Sequence, residues 1–365
     1  MKHLASVILF LLTTITARAA EIEPWADPAM SVKDGVALWL DATRQSAAAK
    51  ANGKQLTDGD ALETWYDGSG HRRDLTQPVD GARPHFTPAA VTFDGKDDHL
   101  LRDDEAAPAL REFTAVLVVT PRANDGGFRA FLSTSATGKS DFRTGINLDM
   151  GPMASDASSG FDDFNVEGSG FGAAVNLFEQ TAAPFGRPQA LLVSGGAPGK
   201  EAIKAYLHGE PTGHRARADA PPIATQRLVL GARSYTLNAN PPIIGSFLDG
   251  DVIEVLLFDR VLDDAERAKL NEYLVNKHPA LAASALAAAE SAHAGTAPIQ
   301  RVKDPPAVQV FVPGFSAREL PLDLTNINNL RYREDGKLVA MAYNGNVFLL
   351  TDTDGDGLED KADLF

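Results

Sequence analysis

Six positions near the C-terminal end of this chain have the spacing that a hard cation needs. In Asp352–Asp363, DTDGDGLEDKAD, residues Asp352, Asp354, Asp356, Leu358, Asp360 and Asp363 fall at loop positions 1, 3, 5, 7, 9 and 12, with Leu358 offering its carbonyl. Calcium takes about six to eight such oxygens, and a glycine at position 6, here Gly357, permits the sharp bend that wraps them round the ion. Position 12 holds aspartate rather than glutamate, which weakens bidentate closure. No helical pattern precedes the loop, so the expectation is a calcium loop without flanking helices. The competing reading is an acidic, solvated turn between strands.

Other chemistries find less support. Retaining hydrolysis of a glycosidic bond needs two carboxyl groups about 5–5.5 Å apart. On a strand that means acidic residues at alternate positions, and no E-x-D-x-E triplet occurs. Asp249, Asp251 and Glu254 come nearest. Asp251 and Glu254 are three apart, so a regular strand points them to opposite faces. No catalytic residue is assigned. Gly168–Gly172, GSGFG, has the glycines of a dinucleotide loop, but Pro184 and Pro188 interrupt the region and no helix follows. Tight strand–turn packing is the better expectation. There is no G-x-S-x-G elbow, and the eight histidines show no H-E-x-x-H or other paired spacing.

Trp39, Trp65 and Tyr66 could stack on sugar rings. Aromatic residues in strands more often fill a core, and that reading is preferred. Asn147, Asp149 and Asn165 are candidate polar contacts on a concave sheet. The sequence leaves open which face they occupy, so the ligand-binding residues are unassigned.

The elements that must position these groups follow from composition and pattern. The chain has 365 residues, enough for about two domains. Its hydrophobic fraction of 44% can build a real core. A net charge of -15 repels phosphate backbones and argues against nucleic acid. It suits calcium, neutral glycans or solubility alone. With no cysteines, disulfides and thiolate chemistry are excluded. Residues 1–20 resemble a secretory signal: Lys2, an apolar Leu4–Leu12, and Ala17-Arg18-Ala19 as cleavage site. That run is shorter than the about 20 residues a membrane span requires, and no later segment qualifies. The expected localisation is therefore exported, periplasmic or extracellular.

Gly250–Pro279 organises the rest. Val252–Phe258 is apolar on both faces apart from Glu254, as in a strand held between two layers. Asp263 and Glu266 have capping-box spacing, Leu270, Tyr273 and Leu274 form a helical stripe, and Pro279 ends it. Before Asp263 helical periodicity is nearly absent. Short strands are expected at Gly35–Ala42, Ala61–Gly70, Phe113–Thr120, Arg129–Ser133, Thr144–Leu148, Gln189–Ser194, Ala202–Leu207 and Arg227–Gly231, with a hairpin at Asp94-Gly95 inside Ala90–Leu101. These predict an all-β, two-sheet antiparallel sandwich with a short C-terminal helix. Residues 281–306 read as an Ala/Pro-rich linker. Residues 307–365 read as further antiparallel strands, with one near Val308–Val312, too few to close a core. They suit the start of a larger unit.

Several stretches resemble a known family. GVALWLDA, the W-x-D-x-S-G element at Trp65–Gly70, VTFDGKDDHLL and VLLFDRVLDDAERAKLNEYLVNKHP are similar to the laminin-G-like, concanavalin A-like (LamG) jelly-roll domain of exported bacterial proteins of planctomycete type. The resemblance covers residues 32–280. It implies a jelly roll, carbohydrate as the partner in many members, and often calcium. The tail, residues 307–365, resembles the first blade of a sugar-dehydrogenase-like β-propeller, with no haem site or catalytic constellation among its residues.

The leading expectation is an exported, non-catalytic recognition module for a glycan or polysaccharide, forming the N-terminal part of a larger propeller protein. One alternative is the front end of a quinone- or haem-linked sugar dehydrogenase. Another is a structural spacer at the cell surface.

Overall fold

Short, β-branched segments separated by glycine-rich turns build most of this chain, and strands follow from them. The computed structural model describes residues 21–155, 160–179, 181–219, 221–236, 241–294, 314, 317–322, 324, 327–342 and 346–365. The expected signal segment, the end of the expected linker and the strand expected at Val308–Val312 lie outside the described residues. The chain divides into two units, Met1–Ala297 and Pro298–Phe365.

The first unit begins with β1 (Val36–Asp41), α1 (Ala42–Ala51), β2 (Thr64–Trp65), β3 (Leu75–Thr76), β4 (His85–Phe86), β5 (Val91–Asp94) and β6 (Leu100–Asp103). It continues through β7 (Phe113–Pro121), β8 (Ala130–Ser135), α2 (Asp141–Thr144), β9 (Ile146–Asp149), β10 (Asn165–Gly168), β11 (Gln189–Gly195), β12 (Gly199–Leu207) and β13 (Glu210–Arg217). It closes with β14 (Arg227–Leu230), β15 (Arg233–Tyr235), β16 (Ile243–Gly245), β17 (Asp249–Phe258), α3 (Asp264–Lys277) and α4 (Ala280–Ala294).

Two antiparallel sheets face each other. One has the order β13-β12-β11-β7-β17-β5-β4 with β1 also on β17, the other β10-β9-β8-β14-β6-β3-β2. Leu117, Val119, Leu191, Val193, Val255 and Leu257 of the first sheet meet Leu132, Ile146, Leu148, Val166 and Leu230 of the second in one core. This is the all-β sandwich that the pattern predicts. Trp39 and Trp65 are fully buried, as the core reading expects, and Tyr66 is half-buried.

β17 lies between layers as anticipated. On its outer side Leu256 and Phe258 pack with Trp39, Leu270 and Leu274. The capping box of α3 is present: Glu266 N donates to Asp263 Oδ1 at 2.8 Å, and Asp263 N to Glu266 Oε2 at 3.1 Å.

Four expectations are corrected. Asp94-Gly95 does not turn a hairpin, because β5 pairs with β17 in one sheet while β6 pairs with β14 in the other. The loop crosses between layers, and Asp98 Oδ2 holds Asp94 N at 2.9 Å. Asp251 and Glu254 lie on one face, because β17 bulges between Val252 and Glu254. A helix, α1, follows β1 directly, capped by Asp41, which accepts from Thr43 N. Its buried face is Ala42, Gln45, Ala48 and Ala49, too small and polar to show an apolar stripe. Finally, the first part of the expected linker is α4, whose Leu281 and Ala288 are buried in the two apolar clusters of the sandwich.

The second unit is a four-stranded antiparallel meander: β18 (Ile327–Tyr332), β19 (Leu338–Ala342), β20 (Val347–Thr351) and β21 (Lys361–Leu364). Leu338, Ala340 and Leu350 are its buried centre. Its strands are antiparallel, as the reading of residues 307–365 expects. The fourth occupies the last positions of the expected calcium loop.

Candidate functional site

Side-chain alternation decides which face β9 and β10 present. Ile146, Leu148 and Val166 enter the core. Asn147, Asp149, Asn165 and Glu167 therefore lie together on the opposite face, with Asn165 across from Asp149 and Glu167 across from Asn147. The short helix α2 adds Asp141, and β15 adds Arg233.

Arg233 ties these residues together. Its Nε and Nη2 donate to Asp141 Oδ2 and Oδ1 at 3.1 and 2.9 Å. Nη2 also reaches Glu167 Oε1 at 2.6 Å, and Nη1 reaches Asp149 Oδ2 at 3.4 Å. Asn165 Nδ2 donates to Asp149 Oδ2 at 3.0 Å, Gly151 N to Asp149 Oδ1 at 2.7 Å, and the Asn147 amide also contacts Asp149. All six residues are buried.

Burial pushes the Asp149 carboxyl up to about 7, although Arg233 and Asn165 favour its charged form. Asp141 is raised by the same cause, against Arg233. Burial opposes the charge on Arg233, yet Asp141, Asp149 and Glu167 raise its pKa above the usual guanidinium value. Asn147 Oδ1, Ser135 Oγ and Ser234 Oγ are buried without a partner among the described residues.

The outer boundary of this network is aromatic. The Arg233 guanidinium lies 5.1 Å from the Phe128 ring centre and 4.6 Å from that of Tyr235. Both rings are half-buried, and Phe142 meets Tyr235 edge-on at 5.7 Å. Phe128 has φ +63°, a region that bulky side chains avoid. Its N–H donates to Gly151 O at 2.8 Å, and the neighbouring Gly127 O accepts from Ser246 Oγ at 2.8 Å. Strain of this kind costs on the order of 1–3 kcal/mol and persists where the surroundings over-determine it. Two fixed rings beside a buried ionic network can take the flat apolar face of a ligand that also carries hydroxyl groups.

The structure thus brings together all three candidates Asn147, Asp149 and Asn165. It adds Glu167, Asp141, Arg233, Phe128 and Tyr235, which sequence reasoning missed. Glu167 could have been found, since Asn165-x-Glu167 repeats the alternation of Asn147-x-Asp149. Arg233 has no local signal.

The calcium-type loop is only partly assembled. Carboxylate oxygens of Asp352, Asp354 and Asp356 lie within 4.8 Å of one another. Gly355 N and Gly357 N donate to the two oxygens of Asp352 at 2.7 and 2.9 Å. Asp360 instead accepts from Thr353 N and Oγ1 at 2.8 and 2.6 Å. Asp363 is on β21 and pairs with Lys361 Nζ at 2.9 Å.

Other sequence candidates disperse. Asp249 and Asp251 both meet Arg122, at 2.9 and 2.6 Å, while Glu254 is enclosed by Trp39, Tyr273, Lys277 and His278. Gly168–Gly172 is a tight turn, with Gly168 and Phe171 bonded in both directions.

No family model matches the chain, and no curated protein matches it. Among solved structures, Trypanosoma rangeli sialidase in complex with sialic acid is 14% identical with a TM-score of 0.43, covering 71% of this chain and 36% of that one. The chain thus spans about a third of the length of that protein. Domain 4 of AbnA, a GH43 extracellular arabinanase from Geobacillus stearothermophilus, in complex with arabinotriose, is 16% identical with a TM-score of 0.35, covering 50% of this chain and 76% of that one. The binding domain of Botulinum neurotoxin DC in complex with rat synaptotagmin II is 11% identical with a TM-score of 0.40, covering 67% and 52%. Likeness at this level carries no argument about function.

Proposed function

We propose that this chain is an exported, non-catalytic module that recognises carbohydrate on the seven-stranded sheet. The observation that carries the reading is the placement of the Phe128 and Tyr235 rings against Arg233, whose charge is held by Asp141, Asp149 and Glu167. The rings supply stacking faces, and the buried network keeps them in place. The same carboxylates are committed to Arg233, which favours holding a sugar over cleaving it. The jelly-roll resemblance supports the reading, and so does the signal-like N-terminus for export. Calcium belongs at Asp352, Asp354 and Asp356, in a unit that we read as the first blade of a propeller.

A glycan array probed with the full chain, with and without calcium, tests this. Wild type should give hits that Phe128→Ala and Tyr235→Ala lose. Silence across plant, algal and bacterial polysaccharides, or hits indifferent to both substitutions, would overturn it.

A further inference from the structure

The opposite layer of the sandwich carries a groove of about 870 Å³ that the site above does not use. It runs over the outer side of β11, β12 and β13 and is walled by the start of α3. Alternation explains its lining: Val193, Ile203 and Ala205 enter the core, so Ser194, Lys204 and Tyr206 face outward. Ser194, Lys204 and His214 form a direct cross-strand row over three strands. Ser194 is buried at the bottom, and Thr212 Oγ1, on the β13 part of the lining, is buried without a hydrogen-bond partner among the described residues.

We propose that this groove is a second oligosaccharide subsite, selective for neutral sugars. The inference rests on the carbohydrate reading above and deepens it. Size is the first argument, since small-molecule sites occupy about 300–1,000 Å³. Charge is the second. Lys204 is paired with Glu201 at 3.4 Å, and Arg267 with Asp264 at 2.9 Å, so the lysine and arginine along the groove are already neutralised. Asp263 adds a further carboxylate to the rim. An anionic sugar would meet carboxylates and no unpaired lysine or arginine in this groove, whereas a neutral chain finds donors and acceptors in the Ser194–Lys204–His214 row. Arg267 lies over one face of the Tyr206 ring at 4.6 Å, as Arg233 does over Tyr235, and the cross-strand row adds the hydrogen-bonding groups. Two subsites on opposite layers would let one module engage two segments of a polymer, with avidity above either affinity.

Calorimetric titration of the full chain tests the inference, with xylohexaose, cellohexaose and arabinohexaose as neutral probes and hexagalacturonate as the acidic one. Wild type should bind a neutral probe at two sites. Lys204→Ala combined with His214→Ala, both exposed residues, should weaken one site about tenfold and leave the other. Phe128→Ala with Tyr235→Ala should do the converse. One site, lost in the aromatic variant and untouched in the groove variant, overturns the groove and keeps the function. Tighter binding of hexagalacturonate in the groove overturns the assigned sugar class. No binding of any probe by wild type overturns both readings.

Discussion

Glu254 Oε1 accepts the indole N–H of Trp39 at 2.8 Å, across 215 residues of chain. The same carboxylate takes Tyr273 OH at 3.1 Å, Lys277 Nζ at 2.8 Å and His278 Nε2 at 2.9 Å. One acidic residue therefore joins β1, β17 and α3. Removing one partner of a buried pair strands the others in a dry interior, which costs about 3–5 kcal/mol. Glu254→Ala should lose that much in urea denaturation. Trp39→Gln is not the comparison to make, since it removes the core ring; the informative partner is Tyr273→Phe, which deletes one hydroxyl and should cost about 1 kcal/mol. Equal losses in the two variants would show that Glu254 does not act as a hub.

Asp149 makes stability depend on pH. Its carboxyl is raised from 3.8 to about 7 by burial, with Arg233, Asn165 and Glu167 facing it and Gly151 N bonded to it. Between those values the folded chain holds a proton that the unfolded chain has released. Its contribution is fully present below the unfolded value and is lost as pH rises to about 7. Asp98 and Asp163, each raised to about 6, have the same sign. Asp149→Asn keeps the shape and removes one part of the slope. Urea midpoints at about pH 5 and about pH 8 should differ more for wild type than for the variant; identical differences would show that Asp149 holds no such proton.

The parts of the fold that rest on local pattern are visible in the residues. β17 announces itself by an apolar run broken only by Glu254, and α3 by its capping box and stripe. Partner choice is less visible. Asp94-Gly95 signals a turn, but whether the next strand joins the same sheet depends on Asp98 and on β14, far along the chain. The α1 helix escapes because its buried face is mostly alanine. At the site, Asn147 and Asp149 are marked by alternation within one strand. Arg233 reaches Asp149 across 84 residues, a contact that only the assembled sheet creates. Phe128 carries no sequence signal and stands out only in the folded backbone, through its positive φ.

Gly231 should be among the least replaceable glycines near the site. It has φ +77°, and a Cβ there would come within 2.4 Å of the Phe93 ring. It also precedes Arg233 by two residues, so a shift would carry into the network. Gly231→Ala combines left-handed strain of about 1–2 kcal/mol with overpacking of about 1–3 kcal/mol. Gly186 has φ +70° with open space around its Cβ position, so Gly186→Ala should show the strain alone. Thermal denaturation of the two variants separates the effects. Equal melting temperatures would mean that Phe93 moves aside freely.

Calcium affinity distinguishes loop spacing from loop geometry. Spacing asks for Asp363 as the closing ligand, but Asp363 is held on β21 beside Lys361. Geometry instead gathers Asp352, Asp354 and Asp356. Extracellular calcium modules bind at about 10⁻⁴–10⁻³ M, and affinity follows the number of charged ligands. Calorimetry on the full chain after chelator treatment should show binding in that range. Asp354→Ala should weaken it about tenfold or more, while Asp363→Ala should leave it nearly unchanged. Loss in Asp363→Ala would mean that β21 opens when the ion enters and that the twelve-position spacing prevails. No heat at millimolar calcium, or indifference to Asp354→Ala, would leave the loop as a turn whose aspartates serve its own backbone N–H groups, as Asp352 already serves Gly355 and Gly357.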